Sequence, residues 1–137
     1  MGNETKSDSW QELLSRARQA AAHAHAPYSR LCVGAAILTS EGTTHTGCNI
    51  ENPSFSATLC AERVALANMV STEGPEARIR AVAIWCSEKN PCYPCGICRQ
   101  ALIPWCGEGA LLVTESADGA AESLPFAGLL PYPFANL

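Results

Sequence analysis

The sequence predicts an α/β fold, a three-layer α/β/α sandwich built on a mixed β-sheet. Two segments, 33–38 and 43–48, flank a short turn and are typical of an antiparallel hairpin. Two later strand-like segments each follow a helical segment, as parallel strands joined by crossovers do. The first of them, 79–86, is almost continuously apolar, which is typical of a strand covered by helices on both faces.

The chain is expected to form one domain over residues 1–137, with residues 1–8 as a flexible N-terminus. Apolar residues make up 47% of the composition, enough for one hydrophobic core at this length. Residues 1–8 are polar and lack the apolar core of a signal peptide, and no apolar run approaches the roughly 20 residues of a membrane span. We therefore expect a cytoplasmic protein that does not contact a membrane.

The first helix is predicted over 9–24. Ser9 stands three positions before Glu12, the spacing of a capping box, and Pro27 ends the helical pattern. The apolar residues that recur at helical spacing are Trp10, Leu13, Leu14, Ala17 and Ala21. His23 and His25 could be metal ligands, but we prefer to interpret them as exposed residues at a helix C-terminus.

The first strand of the hairpin contains the small residues Gly34, Ala35 and Ala36, which suit close packing of a helix on its face. A polar loop over 49–54 follows the hairpin. Asn49 and Glu51 are two positions apart, so in an extended chain their side chains would point the same way. Ordinary turn chemistry explains such a pair equally well.

The second half of the chain is predicted to alternate helices and strands. After a helix over 57–70 come the 79–86 strand, a helix over 95–105 and a strand over 110–114. Asp118-Gly119 predicts a turn, and 123–130 a short last helix. The buried side of the 57–70 helix would comprise Leu59, Val64, Ala65, Leu66 and Met69.

The charge balance argues against a polynucleotide partner. The net charge is −4, and the nine basic residues are scattered along the chain. A phosphate backbone needs a basic groove, which this distribution does not predict. A small, uncharged substrate is compatible with it.

Eight cysteines are many for this length. As disulfides they would indicate a small secreted scaffold, which the absent signal peptide and the adequate core disfavour. In the reduced interpretation three of them are metal ligands. The other five are small hydrophobes or surface thiols: Cys32, Cys48, Cys86, Cys92 and Cys106.

Three of the cysteines have the spacing of a catalytic zinc site. Cys95 and Cys98 are three apart at a predicted helix start, and Cys60 lies at the start of another helix. Helix N-termini favour thiolates. Three protein ligands with an open fourth position are the catalytic arrangement of Zn²⁺. The sequence therefore predicts one Zn²⁺ per subunit, with a water at the open position.

Glu62 and Arg63 stand beside the first ligand, Cys60. Glu62 is not needed as a ligand, and its carboxylate could take the water's proton, pass a proton to a ring nitrogen and later protonate a leaving amine. Three thiolates exceed the charge of the metal by one. Arg63 is expected to compensate by donating to a ligand sulfur.

Two other assignments use Cys92. It forms a second Cys-x-x-Cys pair with Cys95, but Pro94 suits the start of a helix in which Cys95 is the first ligand. A closed, structural site would use Cys92 together with the three predicted ligands. That site would leave Glu62 and Arg63 without a role.

The motifs together closely resemble the small, homotetrameric cytidine deaminases, over nearly the whole chain and in the same order. The core of the match is a cysteine with a glutamate two residues on and a later Pro-Cys-x-x-Cys, which is the general signature of the zinc deaminases. The segments that carry the resemblance are Pro27-Tyr28-Ser29, 33–36, 47–52, Cys60-Ala61-Glu62-Arg63, 94–100 and Leu129-Leu130-Pro131.

The resemblance implies hydrolytic deamination of cytidine and 2′-deoxycytidine to uridine and 2′-deoxyuridine, with the zinc-bound water as nucleophile and Glu62 as proton shuttle. Asn49 and Glu51 would hold the ribose hydroxyls. Glu62 and the backbone N–H of Ala61 would read the pyrimidine edge. Phe134 would cover the base across a subunit boundary of a homotetramer.

The chain departs from the family pattern around the base. Leu31 stands beside the base where a phenylalanine is usual, and Phe55 stands where a neighbouring subunit commonly supplies a tyrosine. Pro53 replaces a small residue, and the segment Tyr132-Pro133-Phe134-Ala135 differs from the usual context. A deaminase of another aminopyrimidine nucleoside, of the blasticidin S type, is therefore the alternative. A zinc-stabilised binding protein without turnover is a third hypothesis, disfavoured by Glu62.

Overall fold

The structure, a computed structural model, describes residues 6–135. Within this range, five strands form a single sheet in the order β2-β1-β3-β4-β5. The strands are β1 (Val33–Thr39), β2 (Thr44–Cys48), β3 (Ile79–Cys86), β4 (Cys106–Glu115) and β5 (Ala121–Pro125). The helices are α1 (Lys6–Ala21), α2 (Ala61–Glu73) and α3 (Gly96–Leu102).

The sheet is mixed, as the sequence predicts. β1 runs antiparallel to β2 and to β3, β3 runs parallel to β4, and β4 runs antiparallel to β5. Helix α3 forms the crossover between the parallel strands β3 and β4. The predicted α/β fold is confirmed. In the described part of the chain, no helix is both long enough and apolar enough to cross a bilayer.

Helix α1 covers one face of the sheet at very short range. A Cβ on Gly34 would stand 1.8 Å from the carbonyl oxygen of Ala17, so only glycine permits this approach. The predicted close packing on β1 is confirmed. The buried residues of this layer are Trp10, Leu13, Leu14, Ala17, Ala36, Ala81, Ala83 and Val113.

Helices α2 and α3 cover the opposite face. Gly47 of β2 allows α2 to lie against the sheet, because a Cβ there would stand 2.6 Å from the Ala61 carbonyl oxygen. Phe126 and Met69 fill the interior of this layer and are fully buried. The first turn of α2 is thereby held beside the end of β2.

The first helix begins earlier than predicted, so the assignment of Ser9 as its cap is wrong. Ser9 lies inside α1, which begins at Lys6. The sequence has no proline or glycine between positions 3 and 8 that would prevent a helix from starting before Ser9. Residues 6–8, part of the N-terminus that the sequence predicts to be flexible, belong to α1. Residues 1–5 lie outside the described residues.

Three further predicted boundaries are wrong. Helix α2 begins at Ala61, with Cys60 as its N-cap residue, and the predicted core residue Leu59 is 43% exposed before it. Helix α3 ends at Leu102 and continues as a 3₁₀ turn over Ile103–Trp105. The short helix predicted over 123–130 is instead strand β5 followed by a 3₁₀ turn over Phe126–Leu129.

Candidate active site

Three cysteine sulfurs meet where two helices begin. Cys60 is the N-cap residue of α2 and Cys95 that of α3, both in extended backbone conformation. Cys98 lies in the first turn of α3 and is fully buried. Free N–H groups at the start of a helix stabilise negative charge, which favours thiolates there.

The spacing of the sulfurs fits a tetrahedral zinc site. The Sγ atoms of Cys60, Cys95 and Cys98 all lie within 4.8 Å of one another. A tetrahedral site with Zn–S bonds of about 2.3 Å separates two ligand sulfurs by about 3.8 Å. The Sγ atoms of Cys60 and Cys95 are 3.8 Å apart. Within residues 6–135 no fourth His, Cys, Asp or Glu joins these three soft donors, which matches a catalytic rather than a closed site.

Cys92 does not join this group. It is half-buried against the apolar core, and burial, together with the nearby Cys86, raises the pKa of its thiol to about 12. A ligand thiol must lose its proton, so this surrounding disfavours Cys92 as a ligand. The Cys92/Cys95 pairing and the closed four-cysteine site thus have no support in the geometry. His23 and His25 are exposed and also lie outside the group.

The thiol of Cys60 is more acidic than that of Cys98. Hydrogen bonding from Cys98, followed by donation from Arg63 and Cys95, lowers its pKa to about 5 despite partial burial. The pKa of Cys98 is raised, first by the same hydrogen bond and then by burial. A Cys60 thiolate accepting a hydrogen bond from the Cys98 thiol is the favoured arrangement.

Arg63 contacts the sulfur of Cys60. Its Nη2 atom lies 3.5 Å from Cys60 Sγ and 3.3 Å from the carbonyl oxygen of Thr58. The hydrogen bonds to Cys60 and Cys98 raise the pKa of the guanidinium, so the positive charge stays in place. Nε of Arg63 is buried without a partner. The hydrogen bonds of Arg63 thus place its positive charge beside the sulfurs of Cys60 and Cys98.

Glu62 is a buried acid beside the sulfurs, with 4% of its surface exposed. Burial raises the pKa of its carboxyl to about 7, and the negative charge on Cys60 adds to this effect. Hydrogen bonds from its own backbone N–H and from Cys98 oppose it. An acid with a pKa near neutrality can both accept and release a proton at physiological pH.

Asn49 holds the backbone of the loop that precedes β1. Its Oδ1 accepts a hydrogen bond of 2.9 Å from the Val33 N–H, and its Nδ2 donates one of 2.7 Å to the Leu31 carbonyl. The residue is 8% exposed. The amide retains one N–H and one lone pair for another partner.

The Glu51 carboxylate accepts hydrogen bonds from the turn at residues 27–29, which precedes β1. Its Oε1 accepts hydrogen bonds from the N–H groups of Tyr28 (2.9 Å) and Ser29 (3.1 Å), and its Oε2 accepts one from the Ser29 hydroxyl. The Ser29 hydroxyl is the main reason that the pKa of Glu51 is lowered. Asn49 and Glu51 therefore both hold the backbone of the segment 28–33, which lies 16 to 23 positions earlier in the chain, rather than a turn of their own loop. The carboxylate lines a cavity of about 410 Å³ with Tyr28, Ser29, Phe55 and Thr58.

Phe55 and Leu31, the two positions at which this chain departs from the aromatic residues usual in the family it resembles, lie in different surroundings. Phe55 is 77% exposed and meets the Tyr28 ring edge to face, with centroids 6.2 Å apart. Leu31 is 36% exposed and borders another cavity, of about 380 Å³, with Pro91, Cys92 and Tyr93. Ala61 is fully buried in the first turn of α2.

Two side chains that the sequence analysis gave no role hold the C-terminal segment. Arg99 donates from Nη1 to the Leu129 carbonyl (2.9 Å) and from Nε to the Pro94 carbonyl (2.8 Å). Gln100 pairs with both backbone groups of Phe134, at 2.8 and 3.0 Å. The signal that could have revealed them is a pair of polar residues within an otherwise apolar short helix.

Comparison with known proteins identifies the family. Residues 7–114 match the family model described as the cytidine and deoxycytidylate deaminase zinc-binding region. A cytidine deaminase of Sporosarcina psychrophila is 37% identical over 126 residues, which cover 92% of this chain and 91% of that protein. A cytidine deaminase of Mycobacterium tuberculosis is 44% identical over 103 residues, or 75% of this chain and 76% of that protein.

Solved structures agree with this match. The crystal structure of cytidine deaminase from M. tuberculosis has a TM-score of 0.82 at 37% identity and covers 97% of this chain and 100% of that chain. That of cytidine deaminase from Burkholderia pseudomallei has a TM-score of 0.79 at 35% identity, covering 90% and 97%. The chain, with its three converging sulfurs, therefore belongs to the cytidine and deoxycytidylate deaminase zinc-binding family.

Proposed function

We propose that this chain is a zinc-dependent hydrolase that converts cytidine and 2′-deoxycytidine to uridine and 2′-deoxyuridine, releasing ammonia. The observation that carries the proposal is the buried carboxyl of Glu62 beside three sulfurs spaced for one metal. The cytidine deaminases similar to this chain match it over most of their length, which supports the same reaction class.

Glu62 is the group that moves protons. Cys60, Cys95 and Cys98 would hold Zn²⁺, which would act as a Lewis acid and lower the pKa of a water molecule. Glu62 accepts a proton from the attacking water and delivers it to the pyrimidine ring nitrogen. Its carboxyl would then take the second proton from the hydroxyl added at C4 and pass it to the amine, so that ammonia leaves as the C4 carbonyl forms. Its pKa of about 7 suits an acid that must perform both steps.

The surroundings of Glu62 keep bulk water from its carboxyl. Ala61 is fully buried and Glu62 is 4% exposed. Bulk water would therefore be largely excluded from the surface that contacts the reacting edge of the base. In our proposal the Ala61 N–H and the Glu62 carboxyl contact that edge. Arg63 offsets the excess negative charge of three thiolates, which would otherwise make the water less acidic.

Asn49 and Glu51 can bind ribose hydroxyls while keeping their contacts to the loop. Glu51 accepts three hydrogen bonds, and an ionised carboxylate offers about four acceptor sites. Asn49 keeps one free N–H. We infer that a sugar with free hydroxyls uses these remaining sites, and that the cavity beside Glu51 receives it.

Leu31 keeps a second candidate substrate class open. An aromatic side chain stacked on a base is worth about 1–3 kcal/mol, and leucine does not supply it. The cavity of about 380 Å³ bordered by Leu31 could accept a bulkier aminopyrimidine nucleoside of the blasticidin S type. The presence of both Asn49 and Glu51 favours cytidine as the substrate, because both side chains would be needed to bind the hydroxyls of a free ribose.

The working unit that we propose is a homotetramer in the cytoplasm. Phe55, Tyr132 and Phe134 are 77%, 96% and 68% exposed, a large apolar surface for one chain. In the proposed assembly Phe134 covers the base bound by a neighbouring subunit. Sedimentation of the zinc-loaded protein at assay concentration tests this, and a monomer with full activity would contradict it.

The deciding experiment is to incubate the zinc-loaded protein separately with cytidine, 2′-deoxycytidine and blasticidin S, and to quantify the deaminated products by chromatography. Uridine formation that rises in proportion to protein supports the proposal. Turnover of blasticidin S alone establishes the alternative. No product from any of the three, with stoichiometric zinc present, refutes deamination of these nucleosides.

A further inference from the structure

Gln100 uses both ends of its side-chain amide on a single residue far along the chain. Its Nε2 donates to the Phe134 carbonyl at 2.8 Å, and its Oε1 accepts from the Phe134 N–H at 3.0 Å. The two residues are 34 positions apart. This paired contact imitates a neighbouring β-strand and fixes the Phe134 backbone in position and orientation.

The same helix holds the segment at a second point. Arg99, the residue before Gln100, donates from Nη1 to the Leu129 carbonyl at 2.9 Å. Between the two anchors lie Pro131 and Pro133, whose rings restrict the backbone. Residues 129–134 are therefore tied to the helix turn that also carries the ligand Cys98.

The ring at the end of this tethered segment remains largely exposed among residues 6–135. Phe134 is 68% exposed, although its backbone is held by two hydrogen bonds. Ordering a group before it binds reduces the entropy lost on binding. A backbone fixed in advance with its aromatic ring left free is therefore suited to contact something outside the chain.

We propose that Gln100 is a positioning residue for the deaminase, acting through Phe134. By holding the Phe134 backbone against α3, it sets where the ring stands when it covers the base in a neighbouring subunit. The inference rests on the proposed function, because it needs a bound nucleoside. The contact also links the placement of the ring to the helix that supplies Cys95 and Cys98.

The test combines single and double variants of the zinc-loaded protein. Gln100→Leu keeps the size of the side chain and removes both hydrogen bonds. We expect it to raise KM for cytidine by about fivefold or more, the lower end of what loss of an aromatic–base contact costs, with a much smaller change in kcat. In a Phe134→Ala background the same substitution should add little to KM, because the ring it positions is gone.

Two controls separate positioning from general structural damage. Gln19→Leu removes an exposed glutamine whose side chain donates a hydrogen bond to the Ser15 hydroxyl at 3.4 Å, and it should leave both constants unchanged. Zinc content and hydrogen exchange are measured on every variant. Gln100→Leu should speed exchange in residues 129–134 while zinc stays stoichiometric. Gln100→Met is the second variant if the first does not fold.

Three results would overturn the inference. One is an unchanged KM in Gln100→Leu with normal wild-type turnover. Another is fully additive effects with Phe134→Ala, which would assign Gln100 a role independent of the ring. The third is loss of zinc in both Gln100 variants but not in Phe134→Ala. A wild-type chain that forms no uridine instead refutes the proposed function, and the inference with it.

Discussion

The guanidinium of Arg63 lies 3.5 Å from the sulfur of Cys60 and donates a hydrogen bond to it. Arg63 directly follows the buried acid Glu62, and the metal-ligand candidate Cys60 stands two positions before that acid. Cys60 and Arg63 stand three positions apart at the start of α2, where Cys60 is the N-cap residue. The local chain order Cys60-Ala61-Glu62-Arg63 thus supplies a ligand, an acid and a compensating charge within one turn.

Removing the cation should weaken the hold on the metal. Arg63→Gln is expected to reduce zinc affinity by about 10- to 100-fold, as loss of a hydrogen bond to a metal ligand commonly does. Competition with a chelator of known affinity measures the change. Arg80→Gln, which removes an exposed arginine on β3, is the matched control. Equal affinity in the two variants would contradict this role of Arg63.

The three sulfurs should be required for zinc, whereas Cys92 should not. Cys98→Ser replaces a buried soft donor by a weaker one, so we expect loss of stoichiometric zinc on purification. Cys92→Ser leaves the group of three intact and should retain zinc. Elemental analysis of both proteins decides. Loss of zinc from Cys92→Ser alone would restore the rival ligand pairing.

Glu62→Gln should separate chemistry from metal binding. The amide keeps the shape of the side chain but cannot accept and return a proton, so we expect a fall in kcat of at least about 10²–10⁴-fold. Zinc should stay bound, because Glu62 is not among the clustered donors. Steady-state kinetics with metal analysis provides the measurement. Unchanged turnover would show that another group moves the protons.

The Ser29 hydroxyl should control the acidity of Glu51. Its hydrogen bond is the largest cause of the lowered pKa, so Ser29→Ala should raise that pKa toward the ordinary value of about 4.3. A lowered folded-state pKa contributes stability that is present above the ordinary pKa and lost as pH falls through the folded one. Carboxyl ¹³C titration of both proteins measures the shift. An unchanged Glu51 titration would contradict the contact.

The ligand set and most of the sheet could be predicted because their signals are local. The two cysteine motifs and the apolar run of β3 each lie within a few consecutive residues, although Cys60 and Cys95 are 35 positions apart. Strand β5 could not be predicted, because its sequence lacks an alternation of apolar and polar residues. It forms as an edge strand through its pairing with β4. The Gln100–Phe134 contact, 34 positions apart, has no periodic signal at all.

The close approach of α1 to the sheet should make Gly34 sensitive to a single methyl group. A Cβ there would lie 1.8 Å from the Ala17 carbonyl oxygen and 2.6 Å from the Ala21 nitrogen, both backbone atoms that move only with the helix. Overpacking of this kind costs about 1–3 kcal/mol, so Gly34→Ala should lower the free energy of unfolding by at least that much. Gly128→Ala is the matched control, since its Cβ would meet nothing within 4 Å. Urea unfolding of the zinc-loaded proteins compares the two. Equal stability would mean that α1 can move away from β1 at little cost, and that the fit between these layers is looser than the contact distances indicate.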